Sequence, residues 1–291
     1  MKKIIIIFIT LFITQNSFAQ SDERIYPFDV EIIGNGDPVI LIPGLTCDGA
    51  VWNATVNQLK ETYECHVLTL AGFSNQAPIE FGDAYLPSIQ KGIIDYIKKE
   101  LDEKPILIGH SLGGFTSLAI ASNEADLLKQ IVIVDSYPFY TAAMMPMATE
   151  ASAKPQAEQL KTMLISTPDE AFAQQQKMTM ASMASNPAEI DLAVQWSIDS
   201  DRETMAQAMY EIMTTDLRDE VAAVKCPILV FGSWYGAKDY GITKEMVEIN
   251  YQNQFSKASN CTIKVADTAK HFVMWDEPIW FHENLVAFLQ K

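Results

Sequence analysis

The sequence predicts an α/β protein with a mostly parallel sheet, helices on both faces of that sheet and an inserted helical cap. Two observations lead to this prediction. Short apolar runs rich in β-branched residues alternate with helical patterns, as in parallel sheets covered on both faces. The alternation stops between about Tyr137 and Ala223, where only helical signals remain. A chain of 291 residues is long enough for one such domain with an insertion.

The N-terminus has the pattern of a secretory signal peptide. Lys2 and Lys3 precede an apolar run from Ile4 to Ile13, and Ser17-Phe18-Ala19 supplies the small-x-small site before cleavage. The apolar run is shorter than the roughly 20 residues that span a bilayer. We therefore expect residues 1–19 to be removed, leaving a periplasmic or secreted protein with no stable membrane anchor.

Seven apolar runs predict the strands of the core. They are Val30–Ile33, Val39–Ile42, His66–Leu70, Ile106–Ile108, Ile131–Val134, Ile228–Phe231 and Thr262–Ala266. Apolar residues at three-to-four spacing predict helices between and after these runs. One set is Leu86, Ile89, Ile93, Ile97 and Leu101, and the other is Phe281, Leu285, Phe288 and Leu289. These elements predict a core formed by residues 20–136 and 224–291.

The remaining segment, residues 137–223, predicts an all-helical insertion. Thr167-Pro168-Asp169-Glu170 and Ser200-Asp201-Arg202-Glu203 are typical of capping boxes, and Asn186-Pro187 indicates another helix start. Ten of the 13 methionines lie between Met144 and Met213. Because methionine is flexible and polarizable, a methionine-rich cap can accommodate irregular apolar groups, although most of these side chains are expected to fill the core.

A Gly-x-Ser-x-Gly motif is the strongest chemical signal. Gly109-His110-Ser111-Leu112-Gly113 follows the apolar strand Ile106–Ile108 and opens the helical run from Phe115 to Ser122. A sharp strand-to-helix turn of this kind projects the serine hydroxyl above the sheet, and it requires small residues two positions before and after the serine. The motif predicts that Ser111 is a nucleophile.

With these residues the chain resembles the α/β-hydrolase superfamily over nearly all of the sequence after residue 19, so the α/β-hydrolase fold is the expected fold. The resemblance implies that Ile40-Leu41-Ile42-Pro43-Gly44-Leu45 includes the loop after the third strand of that fold. It further implies that the backbone N–H groups of Leu45 and Leu112 form the oxyanion hole.

The general base is expected to be His271, one of only four histidines. His66 opens an apolar strand, His110 lies inside the motif, and His282 lies on the C-terminal helix. His271 lies in the loop between the last strand and the last helix, where the resemblance places the catalytic histidine.

The acid of the triad has two candidates. The chain order Ser, acid, His requires an acid between Ser111 and His271. Asp239 lies in the loop after the penultimate strand, although that loop is longer than the usual turn. Asp135 ends an earlier strand, and some lipase-like relatives take their acid there. We prefer Asp239 and keep Asp135 as the alternative.

Aromatic and methionine side chains near the predicted sheet edge are candidates for the substrate pocket. They are Phe73, Phe115, Phe139, Tyr140, Met144, Met145 and Trp234.

Composition excludes some classes of partner and cofactor. The 37 acidic and 21 basic residues, with no basic cluster, disfavour nucleic acid. No Cys-x-x-Cys or Cys/His cluster suggests a metal, and no cofactor is expected. Cys226 and Cys261 each precede a predicted strand, so neighbouring strands would allow a disulfide, with two free thiols as the alternative.

These observations favour a serine hydrolase that cleaves a small to medium carboxylic ester through an acyl-enzyme. The same triad also serves lactonases, thioesterases and acyltransferases, because fold and triad do not select the substrate. A different class, a receptor-like binding protein with vestigial turnover, is disfavoured because the serine, the histidine and an acid are all retained.

Overall fold

A computed structural model describes residues 26–82 and 84–290 of the chain. A seven-stranded sheet has the order β1-β3-β2-β4-β5-β6-β7. Its strands are β1 Phe28–Gly34, β2 Asp37–Ile42, β3 Tyr63–Leu70, β4 Ile106–His110, β5 Gln130–Val134, β6 Ile228–Gly232 and β7 Cys261–Val265. β1 runs antiparallel to β3, and the other neighbours are parallel. All seven predicted strands and the mostly parallel sheet are confirmed.

The central strands are buried on both faces, which explains their continuous apolar runs. Successive residues point to opposite faces of a strand. Ile40 and Ile42 therefore contribute to one core cluster, while Val39 and Leu41 contribute to the other. The sheet thus separates two apolar layers.

Helices cover both layers. They are α1 Asn53–Leu59, α2 Tyr85–Glu100, α3 Leu112–Asn123, α9 Lys244–Gln254, α10 Val273–Asp276 and α11 Pro278–Leu289. The buried stripes of α2, α3 and α9 belong to the cluster of Ile40, and those of α1, α10 and α11 belong to the cluster of Val39. Both predicted helical stripes are present.

Five helices, together called the cap below, lie between β5 and β6. They are α4 Tyr140–Met144, α5 Glu150–Ser166, α6 Asp169–Met183, α7 Pro187–Ile198 and α8 Arg202–Thr214. The predicted helix starts are close to the observed ones. Asn186 accepts from the Ala188 amide at the start of α7, while α8 is capped by Asp201, one residue after the expected serine. Pro168 precedes α6 without a capping side chain, so the capping box expected there is absent.

Of the two alternatives left open for Cys226 and Cys261, the structure has the free thiols, and all four cysteines, which lie within the described residues, are free. The register pairs Cys261 with Ile228, so Cys226 lies two residues before the position opposite Cys261. Two residues of strand and one inter-strand spacing separate the two Cα atoms by roughly 8 Å. A disulfide tolerates at most about 7 Å.

Residues 1–19, on which the signal-peptide prediction rests, lie outside the described residues. Within the described parts of the chain, no helix is both long and apolar enough to cross a membrane.

Candidate active site

Ser111 occupies a strained turn between β4 and α3. Its backbone φ is 52° and its ψ is −114°, a conformation that non-glycine residues rarely adopt. The Ser111 amide donates to the Val134 carbonyl at 2.8 Å, which ties the turn to the neighbouring strand β5. The turn therefore holds the serine in a fixed position at the carboxyl edge of the sheet.

The flanking glycines are required by close backbone contacts. A Cβ at Gly109 would lie 2.2 Å from the Gly113 carbonyl oxygen, and a Cβ at Gly113 would lie 2.2 Å from the Ile42 carbonyl oxygen. Because both obstacles are backbone atoms, no side-chain rotation relieves them. The spacing of the sequence motif thus has a steric cause.

Asp135 ends β5 in a second strained conformation, with a φ of 47°. β4 and β5 pair His110 with Val134, so Ser111 and Asp135 follow paired residues at the same edge of the sheet. The side chain of Asp135 is 11% exposed. Two adjacent strands therefore deliver a hydroxyl and a carboxylate side by side.

His271 lies in the loop between β7 and α10 and contacts the carboxylate of Asp135. Its Nδ1 lies 2.6 Å from Asp135 Oδ2. Because the ionised carboxylate can only accept, Nδ1 carries the hydrogen and Nε2 is left as the acceptor. This tautomer is the one that a general base for serine requires.

The preference for Asp239 as the acid is therefore corrected. Asp239 is exposed in a 3-10 turn, Tyr235–Tyr240, and its carboxylate makes no contact with His271. The long loop after β6 carries Asp239 away, while β5 ends directly beside the histidine. The alternative acid, Asp135, occupies the expected position.

No hydrogen bond joins Ser111 Oγ to His271 within the described residues. The two residues are nonetheless brought together by His110, which directly precedes Ser111. Its Nε2 donates to the His271 carbonyl at 3.1 Å, and the two imidazole centroids are 4.6 Å apart. Catalytic hydrogen bonds are often long or misaligned without substrate.

His110 is buried, and burial lowers its pKa well below the usual value for histidine, with the nearby His271 acting in the same direction. A neutral His110 has one N–H to give, and the His271 carbonyl receives it. His110 therefore supports the loop of the base without adding a charge beside it.

The other two histidines have structural partners. His66 Nδ1 lies 2.7 Å from Tyr96 Oη, and His66 Nε2 lies 3.0 Å from a Glu64 oxygen. His282, on α11, lies 3.2 Å from Thr55 Oγ1. Neither histidine contacts the candidate site.

The loop of His271 is also bound to the cap. Lys270 Nζ donates to the carbonyls of Ala181 and Ala184 at 2.8 and 2.9 Å, and the Phe272 amide donates to the Met183 carbonyl at 3.2 Å. A cation at a helix C-terminus is favourable because the last carbonyls have no partner inside the helix. These contacts with the end of α6 thus hold the His271 loop in place.

Two backbone N–H groups are available beside Ser111. Neither Leu45 nor Leu112 donates its amide hydrogen to another described residue. Leu112 is the first residue of α3, and the N–H groups of the first turn of a helix have no hydrogen-bond partner within the helix. Gly44 adjoins the serine, since a Cβ there would lie 3.3 Å from Ser111 Cβ. Both predicted oxyanion donors therefore remain free to bind a ligand oxygen.

A buried hydroxyl network holds the loop that contains Leu45. Thr46 has a φ of 62°, and its hydroxyl donates to the Leu45 carbonyl at 2.6 Å. Ser197 of α7 lies 2.9 Å from Thr46 Oγ1. Since the single hydrogen of Thr46 is already used, Ser197 is the donor of this second bond. The cap therefore contacts the candidate oxyanion loop directly.

The predicted pocket residues divide into two groups. Phe73 and Phe115 are buried in the apolar cluster that also contains Leu112, and Trp234 packs against that cluster. Phe139 is buried in a smaller cluster beneath α4. A substrate contact by these four stays a prediction.

Three other predicted pocket residues are exposed. Tyr140 is 41%, Met145 44% and Met144 78% exposed, because the short helix α4 buries Thr141 and Ala142 instead. A substrate contact by these three also stays a prediction.

A groove of about 770 Å³ lies between α1 and α11, and none of its lining residues is a predicted site residue. Among the described residues, no group of histidine, cysteine and carboxylate side chains has the arrangement of a metal site.

Two residues at the site escaped prediction. Tyr251 and Ser233 both donate to the Asp135 carboxylate, from 116 and 98 residues away along the chain. Ser233 has a weak local signal, because it directly follows strand β6. Tyr251 has none, since it lies inside an ordinary helical pattern.

Comparison with known proteins reveals a family match. A sequence model of the alpha/beta hydrolase family matches residues 39–283. A pimeloyl-[acyl-carrier protein] methyl ester esterase from Vibrio atlanticus is 24% identical over 269 residues, covering 89% of this chain and 97% of the relative. An equivalent esterase from Aeromonas salmonicida is 33% identical over 113 residues, covering 39% of this chain and 43% of the relative.

Solved structures share the fold. An esterase from Exiguobacterium antarcticum has a TM-score of 0.74 at 17% identity, covering 91% of this chain and 96% of that protein. The enol-lactonase from Burkholderia xenovorans has a TM-score of 0.72 at 18% identity, with the same coverage of 91% and 96%.

Proposed function

We propose that this chain, which belongs to the alpha/beta hydrolase family, is an exported serine hydrolase that cleaves a small to medium carboxylic ester through an acyl-enzyme on Ser111. One observation supports the proposal above all others. The His271–Asp135 pair, 2.6 Å apart, lies beside a serine held in a strained turn. Backbone strain lowers the stability of the fold, and strained residues of this kind cluster at functional sites.

The mechanism follows from the tautomer of His271. Its Nε2 accepts the Ser111 proton as the serine oxygen attacks the ester carbonyl, and Asp135 stabilises the imidazolium that forms. The Leu45 and Leu112 N–H groups bind the developing oxyanion, each contributing about 3 kcal/mol to the barrier reduction. The protonated imidazole then passes its proton to the leaving alcohol.

Hydrolysis of the acyl-enzyme completes the cycle. A water molecule replaces the alcohol, gives its proton to His271 Nε2 and attacks the acyl carbon. The second tetrahedral intermediate collapses, releases the carboxylic acid and returns the proton to Ser111. No group beyond this chain and water is needed.

The substrate class is supported by the relatives, which are named as esterases of an acyl-carrier-bound methyl ester. From those names the proposal takes only the carboxylic ester. Export is supported by the signal-peptide pattern of residues 1–19, and the N-terminal sequence of the mature protein tests it.

The proposed nucleophile is tested by labelling and turnover. We expect wild type to react with a fluorophosphonate probe and to hydrolyse p-nitrophenyl butyrate. Ser111→Ala should lose labelling and at least about ten-thousandfold in kcat. Ser256→Ala, at an exposed serine whose hydroxyl only contacts the Asn253 carbonyl, is the matched control and should keep both.

Retention of turnover and labelling in Ser111→Ala contradicts the proposed function. An unlabelled and inactive wild type supports instead the receptor-like binding protein.

A further inference from the structure

The carboxylate of Asp135 accepts more hydrogen bonds than the histidine alone supplies. Oδ1 accepts from the Ser233 amide and from the Tyr251 hydroxyl, both at 2.8 Å. Oδ2 accepts from the Ser233 hydroxyl at 2.9 Å as well as from His271. Three of the four donors therefore come from two residues outside the proposed triad.

Tyr251 is built into the fold so that its hydroxyl reaches this carboxylate. It lies on α9 with none of its surface exposed, and the ring of Tyr137 stacks on it at 4.1 Å. A Cβ at Gly232 would lie 2.3 Å from Tyr251 Cε2, so only glycine leaves room for the ring. Ring position and hydroxyl contact are thus fixed by packing on two sides.

The hydroxyl of Tyr251 remains a donor across the working range of an esterase. Burial raises its pKa well above the usual value for tyrosine, and the charge of Asp135 acts in the same direction. The phenol also shares a hydrogen bond with Tyr137. Its single hydrogen goes to the carboxylate of Asp135, which can only accept.

Donors to a carboxylate weaken its attraction for any further proton, because hydrogen bonds to the charged form stabilise that form. They also stop the carboxylate from rotating. The donors on Asp135 therefore act on His271 in two ways: they fix the oxygen that Nδ1 contacts, and they moderate the pull of that oxygen on the imidazolium proton.

We propose that Tyr251 is a positioning residue of the site, which together with Ser233 orients the Asp135 carboxylate and limits how tightly the protonated His271 is held. This inference rests on the proposed function and specifies how its acid is controlled. The loop after β6 contributes donors to the acid, while the acid itself comes from β5.

The test is the pH dependence of kcat/KM for p-nitrophenyl butyrate in Tyr251→Phe. Without the hydroxyl, the carboxylate holds the imidazolium more tightly, so the acid limb moves to higher pH by about half a unit or more. We also expect kcat to fall about tenfold at unchanged KM, because Oδ2 is less firmly oriented. Labelling by the fluorophosphonate probe counts the folded, active sites and normalises kcat.

Other titratable groups surround the pair and could contribute to the pH profile. Tyr251→Phe leaves them all in place, so a moved limb is assigned to the lost hydroxyl. They are His110 at the end of β4, Tyr137 after β5, and Lys270 and Asp276 around the His271 loop.

Two further variants complete the design. Ser233→Ala, at a partly exposed residue, removes a donor without opening the core and should move the limb in the same direction. Tyr85→Phe is the matched control, because that hydroxyl is equally buried but donates to the Ala71 carbonyl. It should leave the limb unmoved, whatever it does to stability.

An acid limb that coincides with wild type in both Tyr251→Phe and Ser233→Ala overturns the inference. A limb that moves equally in Tyr85→Phe overturns it too, since the shift would then report general loosening. Failure of the proposed function itself is recognised separately, by Ser111→Ala retaining turnover and labelling.

Discussion

Replacing Asp135 by asparagine separates the role of its charge from the role of its shape. The two oxygens of Asp135 have different partners. Oδ1 faces the Ser233 amide, which can only donate, and Oδ2 faces His271 Nδ1 and the Ser233 hydroxyl, which can both accept. The new amide nitrogen therefore takes the place of Oδ2, and the side chain keeps its position.

This arrangement reverses the tautomer of His271. Its Nδ1 becomes an acceptor from the asparagine amide, so the ring hydrogen moves to Nε2, which can no longer take the proton of Ser111. The imidazolium also loses the neighbouring negative charge. Together these losses are expected to lower kcat by about ten-thousandfold, which corresponds to about 5.5 kcal/mol of transition-state stabilisation.

The assay is kcat and KM for p-nitrophenyl butyrate, with thermal unfolding as the measure of folding. Asp135→Asn should keep a cooperative transition, because the Ser233 amide and the Tyr251 hydroxyl keep their acceptor at Oδ1. Asp239→Asn is the matched control, since that carboxylate is exposed and its loss should leave kcat unchanged. The assignment is refuted if Asp135→Asn keeps more than about a tenth of kcat, or if Asp239→Asn shows the large loss instead.

Two further predictions concern the supports of the site. The lowered pKa of His110 means that the unfolded chain binds a proton that the folded chain refuses, so its contribution to stability is present above about pH 6.5 and is lost as the pH falls. Burial also lowers the pKa of two other histidines, which contribute to the same pH dependence. His110→Gln should therefore reduce the slope of unfolding free energy against pH on the acid side, measured by urea denaturation, by up to about 1.4 kcal/mol per pH unit. An unchanged slope contradicts this. Ser197→Ala removes the donor to Thr46 and loosens the loop of Leu45, so kcat should fall about fivefold to tenfold at unchanged KM. Ser182→Ala, whose hydroxyl contacts only a carbonyl on α6, serves as control, and equal kcat in both variants counts against a cap contact that supports the oxyanion loop.

The parts of the site whose position could be predicted from the sequence are those with local causes. Gly109 and Gly113 are two residues from Ser111, and their steric requirement operates within one turn of chain. His271 could be proposed as the base because only four histidines exist and just one lies in the loop where the α/β-hydrolase resemblance places the catalytic histidine. Both inferences needed no knowledge of how distant segments meet.

The acid could not be chosen from the sequence because two strand ends were possible sources. Asp135 and Asp239 both follow predicted strands, and the difference between them is the path of the loop after β6. That loop turns into a 3-10 segment in which Gly236 lies close to α6, since a Cβ at Gly236 would lie 2.8 Å from the Ser182 carbonyl oxygen. Contacts with the cap therefore decide the position of Asp239, and a sequence pattern does not report them.

The bonding state of the cysteine pair could not be predicted for a related reason. The adjacent strands β6 and β7 pair at their first residues, Ile228 and Cys261, but Cys226 lies two residues before β6 begins. The register that pairs Ile228 with Cys261 is set by side-chain packing, which for β7 occurs on one face only. Sequence patterns define which strands exist but leave a two-residue offset undetermined.

The position of the acid on β5 still agrees with the chemistry that the fold supports. β5 lies between β4, which delivers Ser111, and β6, which delivers Ser233, so a carboxylate at its end is within reach of both neighbours. The backbone must turn sharply at the end of β5 for the side chain to reach this position, and the positive φ of 47° at Asp135 makes that turn. The cost of this strained backbone is offset by four hydrogen bonds to one carboxylate, three of them from Ser233 and Tyr251. The hydrogen bonds from Ser233 and Tyr251 are therefore proposed both to orient the carboxylate and to stabilise its strained backbone. Because the free energy of unfolding responds to both effects, the orienting role has to be tested by the pH profile of kcat/KM.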